Sequence, residues 1–155
     1  MLGNINILNT GYEVIFTMFT AILSAQLLKV ILYTIIRHKL DFRMFTTTGG
    51  MPSSHSAGVV SLSMIVGFIN GFDSTIFAVA LGNALIVMYD AAGIRRASGK
   101  MAACLNRIMD DFYKHDVQAV GEKLKELLGH TPFEVFAGAL FGVAYAYYIH
   151  FTFLQ

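Results

Sequence analysis

A chain of 155 residues with a formal net charge of +1, 55% hydrophobic and 14% charged, is one domain long and far outside the balance of a soluble domain. Most of it requires lipid or a lipid-like interior, and no nucleic-acid partner is expected. The lone Cys104 excludes an intramolecular disulfide and, with no base beside it, reads as a small buried residue rather than a nucleophile.

Four apolar segments approach the ~20 residues needed to cross a hydrocarbon core. Residues 1–12 hold no lysine or arginine and no cleavage-type run of small residues, so a cleaved signal peptide is not expected. The first segment, residues 14–36, carries Lys29 near its end. That side chain either joins a buried pair or snorkels toward the interface.

Directly before the second segment, residues 57–72, stand Gly49, Gly50, Met51, Pro52, Ser53, Ser54, His55 and Ser56. Glycines allow a tight turn, Pro52 suits the first position of a helix, and a serine-rich loop entering a helix N-terminus is a phosphate cradle. The alternative is a plain helix cap by Ser53 or Ser54. A cap alone leaves His55 and the double glycine without a reason.

The third segment runs over residues 75–88 and continues to 94. Asp90 lies within it, and an acid at that depth is costly unless it is paired or lines a wet cavity, so it is a candidate support for a site. The other reading is a buried salt bridge to Lys29 or to an arginine. Arg95 and Arg96 follow Gly93, and from Ser98 to Leu128 apolar and charged residues alternate at helical spacing. Met101, Leu105, Ile108, Met109 and Phe112 make one stripe, which suits a helix at the membrane surface or across the ends of the bundle. Asp110, Asp111, Lys114, His115 and Asp116 read as a solvated face rather than a metal cluster.

The fourth segment, residues 133–154, contains Gly138 and Gly142 at a spacing that lets another helix approach closely. His130 precedes it, with Thr131, Pro132 and Glu134. Early helix onset would set Glu134 beside His130, one imidazole nitrogen held by the carboxylate and the other aimed at a substrate. Thr131 and Glu134 equally fit a capping box that serves only the backbone. Both readings stay open for Glu134.

Ten of the eleven lysines and arginines fall in the first and third connections, and the eleventh is Lys29. With four spans these connections share one side, which the positive-inside rule makes cytoplasmic, and both termini face outward. Lys29, the Gly50–Ser53–Ser54–His55 loop, the Arg95–Arg96 pair and His130 then meet at one membrane face. Such a group, without clustered cysteines or paired ligand histidines, suits a phosphoryl group better than a metal.

Three stretches, GGMPSSHSA at 49–57, YDAAGIRRASG at 89–99 and LKELLGHTPFEVFAG at 124–138, resemble the small divergent membrane branch of the type 2 phosphatidic acid phosphatase and vanadium haloperoxidase superfamily. The resemblance implies an all-α integral membrane bundle of about four transmembrane helices with an amphipathic cytoplasmic helical segment. It also implies a lipid phosphate or polyprenyl phosphate phosphatase that uses neither metal nor cofactor, with homo-oligomers left open. By the same resemblance His130 is the nucleophile, Glu134 orients it, His55 protonates the leaving alcohol, and Ser53 contacts the phosphate. Ser54 replaces the superfamily's glycine, and Leu124 stands where its arginine is expected; the shared membrane face, not the motif alignment, assigns the missing clamp to Arg95 or Arg96. Arg37 follows Lys29 by eight residues rather than seven, and His38 occupies the expected proline position. Two rivals remain: a non-catalytic lipid-phosphate binder or transporter, and a metal-dependent alcohol phosphotransferase built on Asp90, for which the helices supply no further aspartates.

Overall fold

The computed structural model describes residues 7–38, 49–112 and 129–153, and every regular element among them is helical. The order is α1 (Gly11–Arg37), α2 (Ser54–Asn70), α3 (Thr75–Ala92), α4 (Ile94–Phe112) and α5 (Pro132–Tyr148), the last continued by a π-helical turn, Ile149–Phe153. Lys39, Arg43, Lys114, His115, Asp116, Lys123, Leu124 and Lys125, to which the sequence reading assigned roles, lie outside the described residues, as do the side chains of Arg95, Arg96, Asp110, Asp111 and Phe112.

The arrangement inverts the pattern of a soluble bundle. On α1, Glu13, Thr17, Ala21, Ala25 and Lys29 recur every four residues and are buried, while Ile15, Phe19, Leu23, Leu27, Ile31 and Ile35 recur on the opposite face and are exposed. Side chains four apart share a helix face, so the small and polar stripe packs inward and the large apolar stripe faces out. Ile76, Val79, Leu85 and Ile86 of α3 are exposed in the same way. An apolar exterior around a polar interior is stable only in hydrocarbon.

Among the described residues, three helical stretches are long and apolar enough to cross a membrane: α1, α3 and Pro132–Phe153. The fourth expected segment forms α2, which at 17 residues is shorter. It begins earlier than the apolar run suggests because Ser53 caps it, accepting from the Ser56 amide at 3.4 Å, and it ends at Gly71, whose φ of 89° suits only glycine. Pro52 therefore lies before the cap rather than at the first helical position.

Helix α2 is the centre of the bundle and packs on α1, α3 and α5. Its buried serines satisfy themselves locally or across helices: Ser61 Oγ donates to the Gly58 carbonyl, and Ser63 Oγ reaches the Ala80 carbonyl of α3, both at 2.9 Å. The second bond marks α2 and α3 as antiparallel and brings the last turn of α3 level with the first turn of α2. Helix α5 runs parallel to α2, with Gly138 against Ser53 and Ser56, and Gly142 against Ala57 and Ser61. The start of α2, the start of α5, the end of α1 and the end of α3 thus lie at one end of the bundle.

One residue, Gly93, separates α3 from α4. Three residues of the expected stripe on α4 face away from the protein: Met101 is 66% exposed and Leu105 and Ile108 are exposed, whereas Asn106 on the other side is only 5% exposed. Cys104 is exposed too, correcting the expectation of a buried thiol. Lys100 and Arg107 are exposed at the edge of the stripe, the arrangement of a helix lying in a lipid interface. A spin label at position 101 is expected to be relaxed by lipid-soluble oxygen, and one at 106 is expected to be protected from it. The reverse pattern would place the stripe against protein.

Candidate active site

The site is assembled where α5 begins. Thr131 caps the helix with its side chain, accepting from the Glu134 amide at 3.3 Å, and Pro132 occupies the first turn, where no amide is needed. Glu134 Oε2 accepts from the Thr131 amide at 3.1 Å, closing the capping box, and the same oxygen lies 3.0 Å from His130 Nδ1. The two sequence readings of Glu134 hold together: the carboxylate caps the helix and holds the histidine. Only one oxygen is used for both, because a residue just ahead of the cap brings its ring back over the first turn.

His130 is buried, 2% exposed, and the ring of His55 stands edge-on to it with centroids 6.1 Å apart. His55 is in the first turn of α2, beside buried Ser54. One hydrogen bond ties the start of α2 to that of α5, the Ser53 amide donating to the Glu134 carbonyl at 3.1 Å, and within α2 Ser56 Oγ donates to Ser53 Oγ at 3.1 Å. Gly138 makes this approach possible, since a Cβ there would press on the Ser53 carbonyl oxygen.

Lys29 enters from α1, is 2% exposed, and lies near enough to the Glu134 carboxylate for their opposite charges to attract. With Leu32, Tyr33, Ile36, Gly50 and Met51 it also lines a groove of about 140 Å³. Gly50 has φ 94°, the left-handed turn its type was expected to supply. Tyr33 and Met51 were not singled out in the sequence, where nothing distinguishes them from other apolar residues of the span and loop. Asp90 is half-buried in the last turn of α3, at the same end of the bundle. Arg95 and Arg96 lie in the first turn of α4, and their side chains lie outside the described residues.

The structure therefore brings together His130, Glu134, His55, Ser53 and Lys29 from three helices distant in sequence, with Gly50 and Ser54 beside them. Among the described residues, no three histidine, cysteine, aspartate or glutamate side chains form a group suited to holding a metal ion. The chemistry on hand is an oriented imidazole, a second imidazole beside it, a buried ammonium and hydroxyls at a helix N-terminus.

The model of the Divergent PAP2 family matches residues 11–145, a stretch that begins with α1 and includes all three motif segments. The chain belongs to that family. A relative, "Uncharacterized membrane protein YuiD" of Bacillus subtilis (strain 168), is 45% identical over 133 residues, covering 79% of this chain and 84% of the relative. No solved structure matches. Family membership and the inverted helices agree that this is a membrane protein, and the matched stretch contains both histidines of the cluster.

Proposed function

We propose that this chain is a metal-independent lipid phosphate or polyprenyl phosphate phosphatase acting through a phosphohistidine at the cytoplasmic face of the membrane. The observation that carries the reading is the shared carboxylate oxygen of Glu134. By accepting the His130 Nδ1 proton it favours the tautomer whose lone pair is on Nε2, the form that attacks phosphorus. In the first step Nε2 bonds to phosphorus, the ester P–O bond breaks, and protonated His55 gives its proton to the leaving alkoxide. Water then attacks the phosphohistidine, giving its proton back to His55, and phosphate departs. Lys29, Ser53, Ser54, Gly50 and the first amides of α2 suit the equatorial oxygens of the transferring group, with Arg95 or Arg96 as the remaining clamp.

The groove beside Lys29 supports an amphiphilic substrate, since apolar walls lead from lipid to a buried cation. Four spans with outward termini fit the basic residues at this end, Arg37, Lys100 and Arg107 among them. Helix α2 would span about 25 Å at helical rise, somewhat less than the ~30 Å of an average hydrocarbon core. A second reading, a lipid-phosphate binder or transporter, draws on Leu124, which stands where the wider superfamily carries an arginine.

Purified protein in excess chelator is expected to release phosphate from a panel of lipid phosphates. Vanadate is expected to inhibit it more strongly than phosphate does, because a pentavalent oxyanion resembles the transition state. Vanadate binding without any turnover would favour the binder. Activity that disappears in chelator, returns with magnesium and ignores vanadate would replace both readings with a metal-organised site at Asp90.

A further inference from the structure

At the end of the bundle opposite His130 lies a second histidine and carboxylate pair that the proposed reaction does not use. Glu13, on the inner face of α1, is 0% exposed, and its Oε1 lies 2.6 Å from Nδ1 of His150. Its Oε2 accepts from the Asn9 amide at 2.6 Å. His150 belongs to the π-helical turn that closes α5, stacks on Phe68 with ring centroids 5.2 Å apart and meets Phe151 edge-on. Both partners are thus held in orientation by neighbours of their own. An ionisable pair buried in a membrane span is expensive, so it persists where it has a task.

The task is visible in the spacing. Glu13 and Lys29 are sixteen residues apart on α1, and Glu134 and His150 are sixteen apart on the antiparallel α5. About 24 Å of helix therefore separates the Glu13–His150 contact from the level at which Lys29 and Glu134 attract each other. Between them, Ser24 Oγ donates to the Tyr145 hydroxyl at 3.3 Å near the rim of the contact, while the inner face of α1 offers Thr17, Ala21 and Ala25, small side chains that permit close approach but resist sliding less than large ones. A slip of one residue would move Lys29 by about 1.5 Å along the axis and about 100° around it, away from Glu134.

We propose that Glu13 and His150 are positioning residues, a register pin at the far membrane face that sets Lys29 of α1 against Glu134 of α5. The pin rests on the phosphatase reading only for the consequence it has at the site. The helix register itself is independent of that reading.

The test uses the full chain in lipid bilayers with spin labels at Ile35 and Phe133, exposed positions at the near ends of α1 and α5. Glu13→Leu and His150→Leu keep the spans apolar and remove the pair. Each is expected to broaden or shift the distance distribution between the labels and to weaken vanadate binding by about tenfold or more. The exchange of both residues, Glu13→His with His150→Glu, is expected to restore both readouts. If the single variants only lower thermal stability, while the folded protein keeps the native distances and vanadate affinity, the pair is a structural contact and the proposal is overturned. Failure of the exchange to restore the distances overturns it as well. If the native chain does not bind vanadate, the phosphate reading fails by itself, and the distance distributions still decide the pin.

Discussion

Replacing His130 with alanine is expected to abolish turnover and the acid-labile phosphoenzyme together. The imidazole is buried against the first turn of α5, with Nδ1 held by Glu134 at 3.0 Å, and its Nε2 is the proposed attacking atom. Removal of a nucleophile leaves only the binding and charge stabilisation of the remaining site, so the rate should drop by roughly 10⁴-fold or more. His55→Ala removes the proton donor instead, and a leaving alcohol without a donor slows transfer by about 10²-fold to 10⁴-fold. Vanadate binding should survive in His55→Ala. The pair of variants is read by trapping the phosphoenzyme at alkaline pH and by single-turnover phosphate release. A His130→Ala protein that hydrolyses at the native rate rules out the phosphohistidine, whatever the family.

Gly138→Val is expected to be the most damaging substitution outside the polar cluster. A Cβ at this position meets the Ser53 carbonyl oxygen and the Ser53 amide, so the obstruction is backbone and cannot swing aside as a side chain would. The only relief is to move α5 away from α2, which pulls apart the Ser53 amide and Glu134 carbonyl at 3.1 Å and separates the two histidines. Overpacking of this kind costs about 3 kcal/mol, and it falls on the contact that also builds the site. Gly82→Val is the control, since nothing lies within 4 Å of a Cβ there. Thermal unfolding in detergent should show a large loss for the first and little for the second. Equal losses would mean that the close approach of α2 and α5 is not what Gly138 serves.

Much of the helical framework is written locally. Apolar runs of the right length give the spans, Thr131, Pro132 and Glu134 give the start of α5, and Ser53 gives the start of α2. These features depend on neighbours three or four residues away, and such short-range chemistry is the same in any fold. The stripe on α4 was legible for the same reason. Its direction was not, because periodicity identifies a face and says nothing of whether protein or lipid covers it. Cys104 was misjudged on those grounds: a small apolar residue in a helix is buried only if the helix packs on that side.

The sequence by itself determined an all-helical chain that seeks lipid, and it determined which motifs belong together through their common place at the helix ends. It also left Glu134 divided between cap and orienter. Tertiary structure resolved that division by laying the His130 ring over the oxygen that closes the capping box. It alone decided that Lys29 is buried within electrostatic reach of Glu134, and that Glu13 finds His150 across 137 positions. The physical reason is range. Caps and spans are set by backbone hydrogen bonds and hydropathy within one helix, whereas the pairing of buried charges depends on the rotation and axial register of two helices, which are settled only when the small residues of α1, α2 and α5 pack.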